Sequence, residues 1–242
     1  MFRKKPIILD CYTSNKSYFI NAKPTFGTER PKPTWLEELK TTVTLWIEHI
    51  GMHNKMSTVG ICPGIRDFIS KSIHFPMWAD LDIRMNPDAT WSSSIEMRPF
   101  DLNISEHPPE QWKGVYKGQR VALKLENPWK LRCSEPVDFL MTDSHYSSSY
   151  LKDKGIYQSP GLTNFKYQVS TNVHLNCPVK PEPYIITLKF GHPLMSMFPM
   201  TERPVELRYH HIPVDEWQQL GNHMPATMVG RYYRQEGVKP VK

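Results

Sequence analysis

Proline stands at 22 of the 242 positions and is spread over the whole chain, roughly twice its usual frequency of about 5%. Each proline fixes φ, removes an amide donor and breaks a helix from within, so helices stay short and strands joined by turns are favoured. The 7 Trp, 11 Tyr and 10 Phe bury large areas per side chain, which lets a chain that is 39% hydrophobic build a real core. All-β domains reach about 250 residues as one unit, and one core is expected.

Hydrophobic spacing places the elements. Pro6 to Tyr12 reads as a buried strand, with Tyr18 to Ile20 as its partner after a Thr13-Ser14-Asn15 turn. Thr34 and Glu37 match a capping box, and Leu36, Leu39, Val43, Trp46, Ile47 and Ile50 follow helical spacing, which predicts one long N-terminal helix from about Trp35 to Ile50 stopped by Gly51. A short second helix follows Pro63 through Ile65, Phe68 and Ile69. Extended chain then runs through Phe75, Met77, Trp78, Leu81 and Ile83, turns at Asn86-Pro87-Asp88 and returns over Thr90 to Met97. Pro99 to Gly118 reads as a long surface loop.

The second half predicts strands at Val121 to Leu125, Trp129 to Cys133, Phe139 to Thr142, Lys166 to Leu175, Tyr184 to Phe190, Leu194 to Phe198 and Val205 to Tyr209. A short C-terminal helix, Val214 to Leu220, would dock Trp217 on the sheet. The expected fold is mainly β with a few helices, an antiparallel β-sandwich or jelly-roll-like barrel. One β-rich domain, 1–221, carries a helical insertion at 34–73, and 222–242 form a polar, basic tail.

The net charge of +6 is diffuse, so attraction to nucleic acid is expected to be weak. Cys11, Cys62, Cys133 and Cys177 are far apart and form no C-x-x-C pair, which makes reduced, buried thiols the expectation. Neither a secretion-signal pattern nor an apolar run of about 18 residues is present, so the expected location is a cytoplasm, or a particle packaged from one, and no membrane.

Phosphate loops, nucleophile elbows and zinc-protease motifs do not occur, and no metal or cofactor is expected. Four clusters carry the remaining chemistry. Asp80 and Asp82 project to one face of a strand, where a carboxylate pair can share a proton, though a solvated face explains them as well. Asp143, Ser144, His145 and Tyr146 join a carboxylate, a hydroxyl and an imidazole in one turn, but triad members normally meet from separate segments. Asn172 and His174 lie in a polar row along Val169 to Asn176 that can line a site or form the wet side of a sheet. Gly191-His192-Pro193 reads as a tight turn with positive φ at Gly191 and an edge fixed by Pro193. Trp112 and Tyr116 are aromatic candidates for stacking on a nucleic acid.

The order Glu126-Asn127-Pro128-Trp129-Lys130-Leu131, Gly155, Pro160-Gly161, Thr171-Asn172-Val173, Phe190-Gly191-His192-Pro193-Leu194 and Phe198-Pro199 resembles a family encoded by tailed phages, including viruses of cyanobacteria, and by some bacteria. The resemblance covers roughly Gly60 to Tyr209 and implies provenance more than chemistry. A late strand, a Gly-led turn and a second strand also resemble the end of the barrel in trimeric dUTP pyrophosphatases. Val169 to Leu175 has no Asp, and His192-Pro193 stands where that family has an acidic and basic pair, so this resemblance implies shape and trimerisation without pyrophosphate cleavage. The expected function is a non-enzymatic β protein of phage origin, a virion component or an accessory factor that binds phage or host proteins, with homo-oligomers among its forms. The alternative is a nucleotide- or sugar-binding barrel using Asn172, His174, Asp143 and His145.

Overall fold

In the computed structural model, which describes residues 4–30, 34–94, 104–115, 118–144 and 150–222, the first strand is central. β1 (Ile7–Thr13) buries every second residue, Ile7, Leu9, Cys11 and Thr13, because side chains alternate across a strand. Then follow α1 (Lys16–Asn21), β2 (Thr25–Phe26), α2 (Thr34–Glu38), β3 (Thr42–Ile47), β4 (Met52–Ser57), α3 (Pro63–Lys71), β5 (Ile73–Pro76), β6 (Leu81–Met85) and β7 (Trp91–Ser94). Next come β8 (Ile104–His107), β9 (Arg120–Leu125), β10 (Lys130–Cys133), β11 (Asp138–Asp143), α4 (Tyr150–Asp153), β12 (Tyr157–Gln158) and β13 (Gly161–Asn164). β14 (Val173–Pro178), β15 (Tyr184–Leu188), β16 (Pro193–Pro199), β17 (Val205–His211) and α5 (Val214–Asn222) complete the order.

The strands form several mostly antiparallel sheets. β1 lies between β10 and β17, and its pairing with β17 is parallel, which joins two strands almost 200 residues apart. The other orders are β13-β11-β16-β5-β2, β12-β14-β9-β8, β15-β6-β7 and the separate hairpin β3-β4. Among the described residues none of these sheets closes on itself, so the barrel expectation gives way to open sheets.

Inward residues from all sheets but the hairpin meet in one apolar cluster that includes Leu9, Leu123, Leu175, Phe75, Met197 and Ile186. Its largest members, Trp78 and Trp129, are each 1% exposed. Burying a side chain of this size contributes at least ~3 kcal/mol by area. Trp129 is also held by polar bonds: its Nε1 donates to the Ala22 carbonyl at 2.9 Å, its amide donates to Asn127 Oδ1, and its carbonyl accepts from Thr171 Oγ1. The Asn127-Pro128-Trp129 segment therefore ties β10 to the end of α1.

The long N-terminal helix is not formed. Helix occupies only Thr34–Glu38, and the chain then turns into the β3-β4 hairpin, so the helical insertion at 34–73 reduces to α2 and α3 on either side of it. Thr42, Val43, Thr44 and Ile47 are β-branched, stiff at χ1 and better suited to a pleated strand. Val43, Leu45 and Ile47 also satisfy a period of two. Gly51, at φ 61°, closes the hairpin where it was expected to end a helix.

Other boundaries shift for local reasons. Tyr18 to Ile20 belongs to α1, because Asn15 Oδ1 accepts the amides of Ser17 and Tyr18 and caps a helix there. Lys166 to Leu175 becomes a strand only at Val173, since Asn164 takes the amides of Lys166, Tyr167 and Gln168 into a turn. The 99–118 loop contains β8, which pairs with β9. Gly191 adopts φ 78° as expected, but Pro193 opens β16, an interior strand between β11 and β5, and marks no sheet edge. Beyond β17, Lys130 Nζ sits 3.8 Å above the Trp217 ring and donates to the Trp217 carbonyl, which docks α5 on β10.

Candidate functional site

A small, mostly apolar cavity with a few polar side chains on its wall opens where β11 ends beside α4, β12 and the β15–β16 turn. Asp143 enters from the end of β11 and Ser144 from just beyond it, Lys152 from α4, Gln158 from β12 and His192 from the turn, over an apolar floor that includes Met77. The turn is clamped to the floor from both sides, with the Met77 amide donating to the His192 carbonyl at 2.6 Å and the Gly191 amide to the Met77 carbonyl at 2.8 Å. Lys152 Nζ lies 3.8 Å from Asp143 Oδ2. Gln158 is 8% exposed and its Oε1 is buried with no hydrogen-bond partner. The cavity measures about 30 Å³, room for a water or two and an order of magnitude below the roughly 300–1,000 Å³ of small-molecule pockets.

A polar chain runs from this cavity into the interior. Ser144 Oγ is 3.5 Å from Ser196 Oγ, Ser196 Oγ is 3.1 Å from His74 Nδ1, and His74 Nε2 is 2.8 Å from Ser72 Oγ. Ser72 Oγ in turn donates to the Ile69 carbonyl at the end of α3. With that hydroxyl hydrogen committed, Nε2 carries the imidazole hydrogen and donates to Ser72 Oγ. Ser196 and His74 thus have the spacing of a nucleophile and its base, yet three features tune them for structure. Ser196 is 1% exposed, Ser72 stands where a triad has a carboxylate, and burial, with help from the Arg30 charge, pushes His74 down to about 4. The buried pair links the neighbouring strands β16 and β5.

Among the described residues, the binding candidates singled out in the sequence do not meet in this cavity. Asp143 reaches the cavity, whereas His174 lies in β14, edge-on to His107 at 4.8 Å. Burial and the charges of His107 and Lys124 hold His174 near 4. Asn172 is half-buried in the extended segment just before β14. Trp112 ends the short turn Pro109–Trp112, and His145 and Tyr116 lie outside the described residues. Asp80 and Asp82 are not a carboxylate pair: Asp80 accepts the Phe190 amide and meets Lys189 at 3.3 Å, while Asp82 Oδ1 is buried. Among the described residues no group of three His, Cys, Asp or Glu could hold a metal, and no helix is long and apolar enough to cross a membrane. All four cysteines are free, with Cys62 half-buried and the other three buried.

Among the described residues, the exposed apolar side chains Val43, Leu45, Trp46, Ile50, Met52 and Met56 gather on the β3-β4 hairpin, whose first strand falls within the helix expected from the sequence. Its base is pinned by the Thr58 amide and hydroxyl, which donate to the Thr41 and Lys40 carbonyls. Cross-strand partners Val43↔Met56, Leu45↔Asn54 and Ile47↔Met52 share one face, while Thr42↔Ser57, Thr44↔Lys55 and Trp46↔His53 share the other. The first face is therefore apolar but for Asn54. It faces solvent, and only Ile47 of its six residues is partly covered.

These features define a mainly β protein of several antiparallel sheets with a projecting amphipathic hairpin. No protein-family model matches the chain, and no curated protein is significantly similar to it.

Proposed function

We propose that this chain is a phage-encoded, non-enzymatic β protein, built as a sandwich or jelly roll, that works by binding other proteins as a virion component or an accessory factor. One observation carries the reading: the apolar face of β3-β4 is left in water. An isolated two-stranded hairpin is marginal in water, and exposed apolar patches of this kind mark contact surfaces. The tailed-phage resemblance across Gly60 to Tyr209 supplies the setting, with phage or host proteins as partners. Mass spectrometry of purified particles tests it, since a virion component is present in fixed copy number. Absence from particles removes the virion form and leaves the accessory binder.

A second reading, a nucleotide- or sugar-binding protein, rests on Asp143, Lys152 and Gln158 on the wall of a cavity that would have to open to admit such a ligand. It predicts a thermal shift with one of these ligands, because a ligand at 100 times its Kd stabilises by about 2.7 kcal/mol. A flat response across a nucleotide and sugar panel discards it.

A further inference from the structure

We infer that His107 and His174 form a two-imidazole site for a late first-row divalent cation such as Zn²⁺ or Cu²⁺. The strand pairings put both on one face of the β12-β14-β9-β8 sheet: His107 stands opposite Ala122 and His174 opposite Lys124, so the two rings approach each other diagonally across β9. Ala122, whose side chain is a single methyl group, leaves the room for this. The ring centres lie 4.8 Å apart with their planes at 82°. A metal about 2.0–2.1 Å from one nitrogen of each ring, with the two bonds roughly 90–110° apart, sets imidazole centres about 4.5–5.2 Å from each other. The observed spacing falls inside that window.

Both imidazoles are prepared to offer a lone pair. Gln111 Oε1 lies 2.7 Å from His107 Nδ1 and, as an acceptor, takes its hydrogen, which leaves the lone pair on Nε2. A partner on the far nitrogen is how ligating histidines are generally oriented. His174 is held near 4 by burial and by the charges of His107 and Lys124, so at neutral pH a metal displaces no proton from it. Lys124 repels a cation, but its ammonium is paired with Glu126 at 2.7 Å, which offsets that repulsion. Neutral imidazole nitrogens suit zinc and copper, whereas magnesium and calcium prefer oxygen. With two protein ligands, water fills the remaining positions and the ion exchanges, unlike a structural zinc held by four side chains.

Isothermal titration of the full chain with ZnCl₂ tests this, together with the paramagnetic resonance spectrum of the chain carrying one equivalent of Cu²⁺. The unaltered chain shows a saturable zinc site, and the copper spectrum carries nitrogen couplings from two imidazoles. His107→Ala and His174→Ala each weaken zinc binding at least tenfold. Gln111→Ala weakens it about tenfold by releasing the His107 ring, and His53→Ala, on the hairpin, leaves it unchanged. Near-ultraviolet circular dichroism without metal separates a loss of binding from a loss of fold, and His107→Gln and His174→Gln repeat the test where alanine disturbs the sheet. The absence of a saturable zinc site overturns the inference, as does a site that survives replacement of both histidines together.

Discussion

Ser196 and His74 face each other across the neighbouring strands β16 and β5, Oγ to Nδ1 at 3.1 Å, with 1% and 3% of their surfaces in contact with solvent. Because the pair is buried and lacks a carboxylate, it acts as a neutral tie between two strands of the five-stranded sheet.

That tie makes the fold acid-sensitive. Burial lowers His74 from 6.5 to about 4, so the folded state stays unprotonated there in a range where the unfolded chain takes up a proton. Its contribution is complete above pH 6.5 and is lost progressively as pH falls through about 4, a loss of roughly 3 kcal/mol in all. His174 acts in the same direction. Urea denaturation from neutral pH down to about pH 4 will show His74→Gln with a flatter acid limb than the unaltered chain.

Gly27 is required by close approach. Its amide donates to the Ser72 carbonyl at 2.9 Å, and a Cβ at this position would run into the Ile69 carbonyl and crowd His74 Nε2. Gly27→Ala is expected to cost about 1–3 kcal/mol by overpacking, seen as a lower Tm.

Trp129→Phe removes the Nε1 donor and leaves the Ala22 carbonyl without that bond in the core. The lost volume and the orphaned acceptor together cost about 2–4 kcal/mol in chemical denaturation.

Gln158→Met tests the cavity. The buried Oε1 has no partner, so an apolar side chain of similar length is expected to stay within ~0.5 kcal/mol or to stabilise. A loss well above ~1 kcal/mol would mean that Oε1 is satisfied by a bound group in solution.

Alternation was readable wherever one strand face is buried. Ile7, Leu9 and Cys11, or Val121 to Leu125, announce their strands because burial imposes the period of two. The hairpin was hidden because Leu39, Val43, Trp46, Ile47 and Ile50 also fit helical spacing, which competes with the period of two in Val43, Leu45 and Ile47. A genuine helix start at Thr34 was then extended across Thr42 to Ile50. Long-range pairings left no local trace: β1 beside β17, Ser196 beside His74, and Gln158 beside Asp143 join segments whose meeting depends on the assembled sheets. Asp143 was found because a carboxylate next to Ser and His is conspicuous, whereas Lys152 and Gln158 carry no such mark.

Hydrogen exchange of the amides in Thr42–Ser57, with and without phage particles, tests the central claim most directly. A hairpin face held by a bound protein gains protection in their presence, and Leu45→Glu abolishes the gain. Exchange that is equally fast in both would contradict the account.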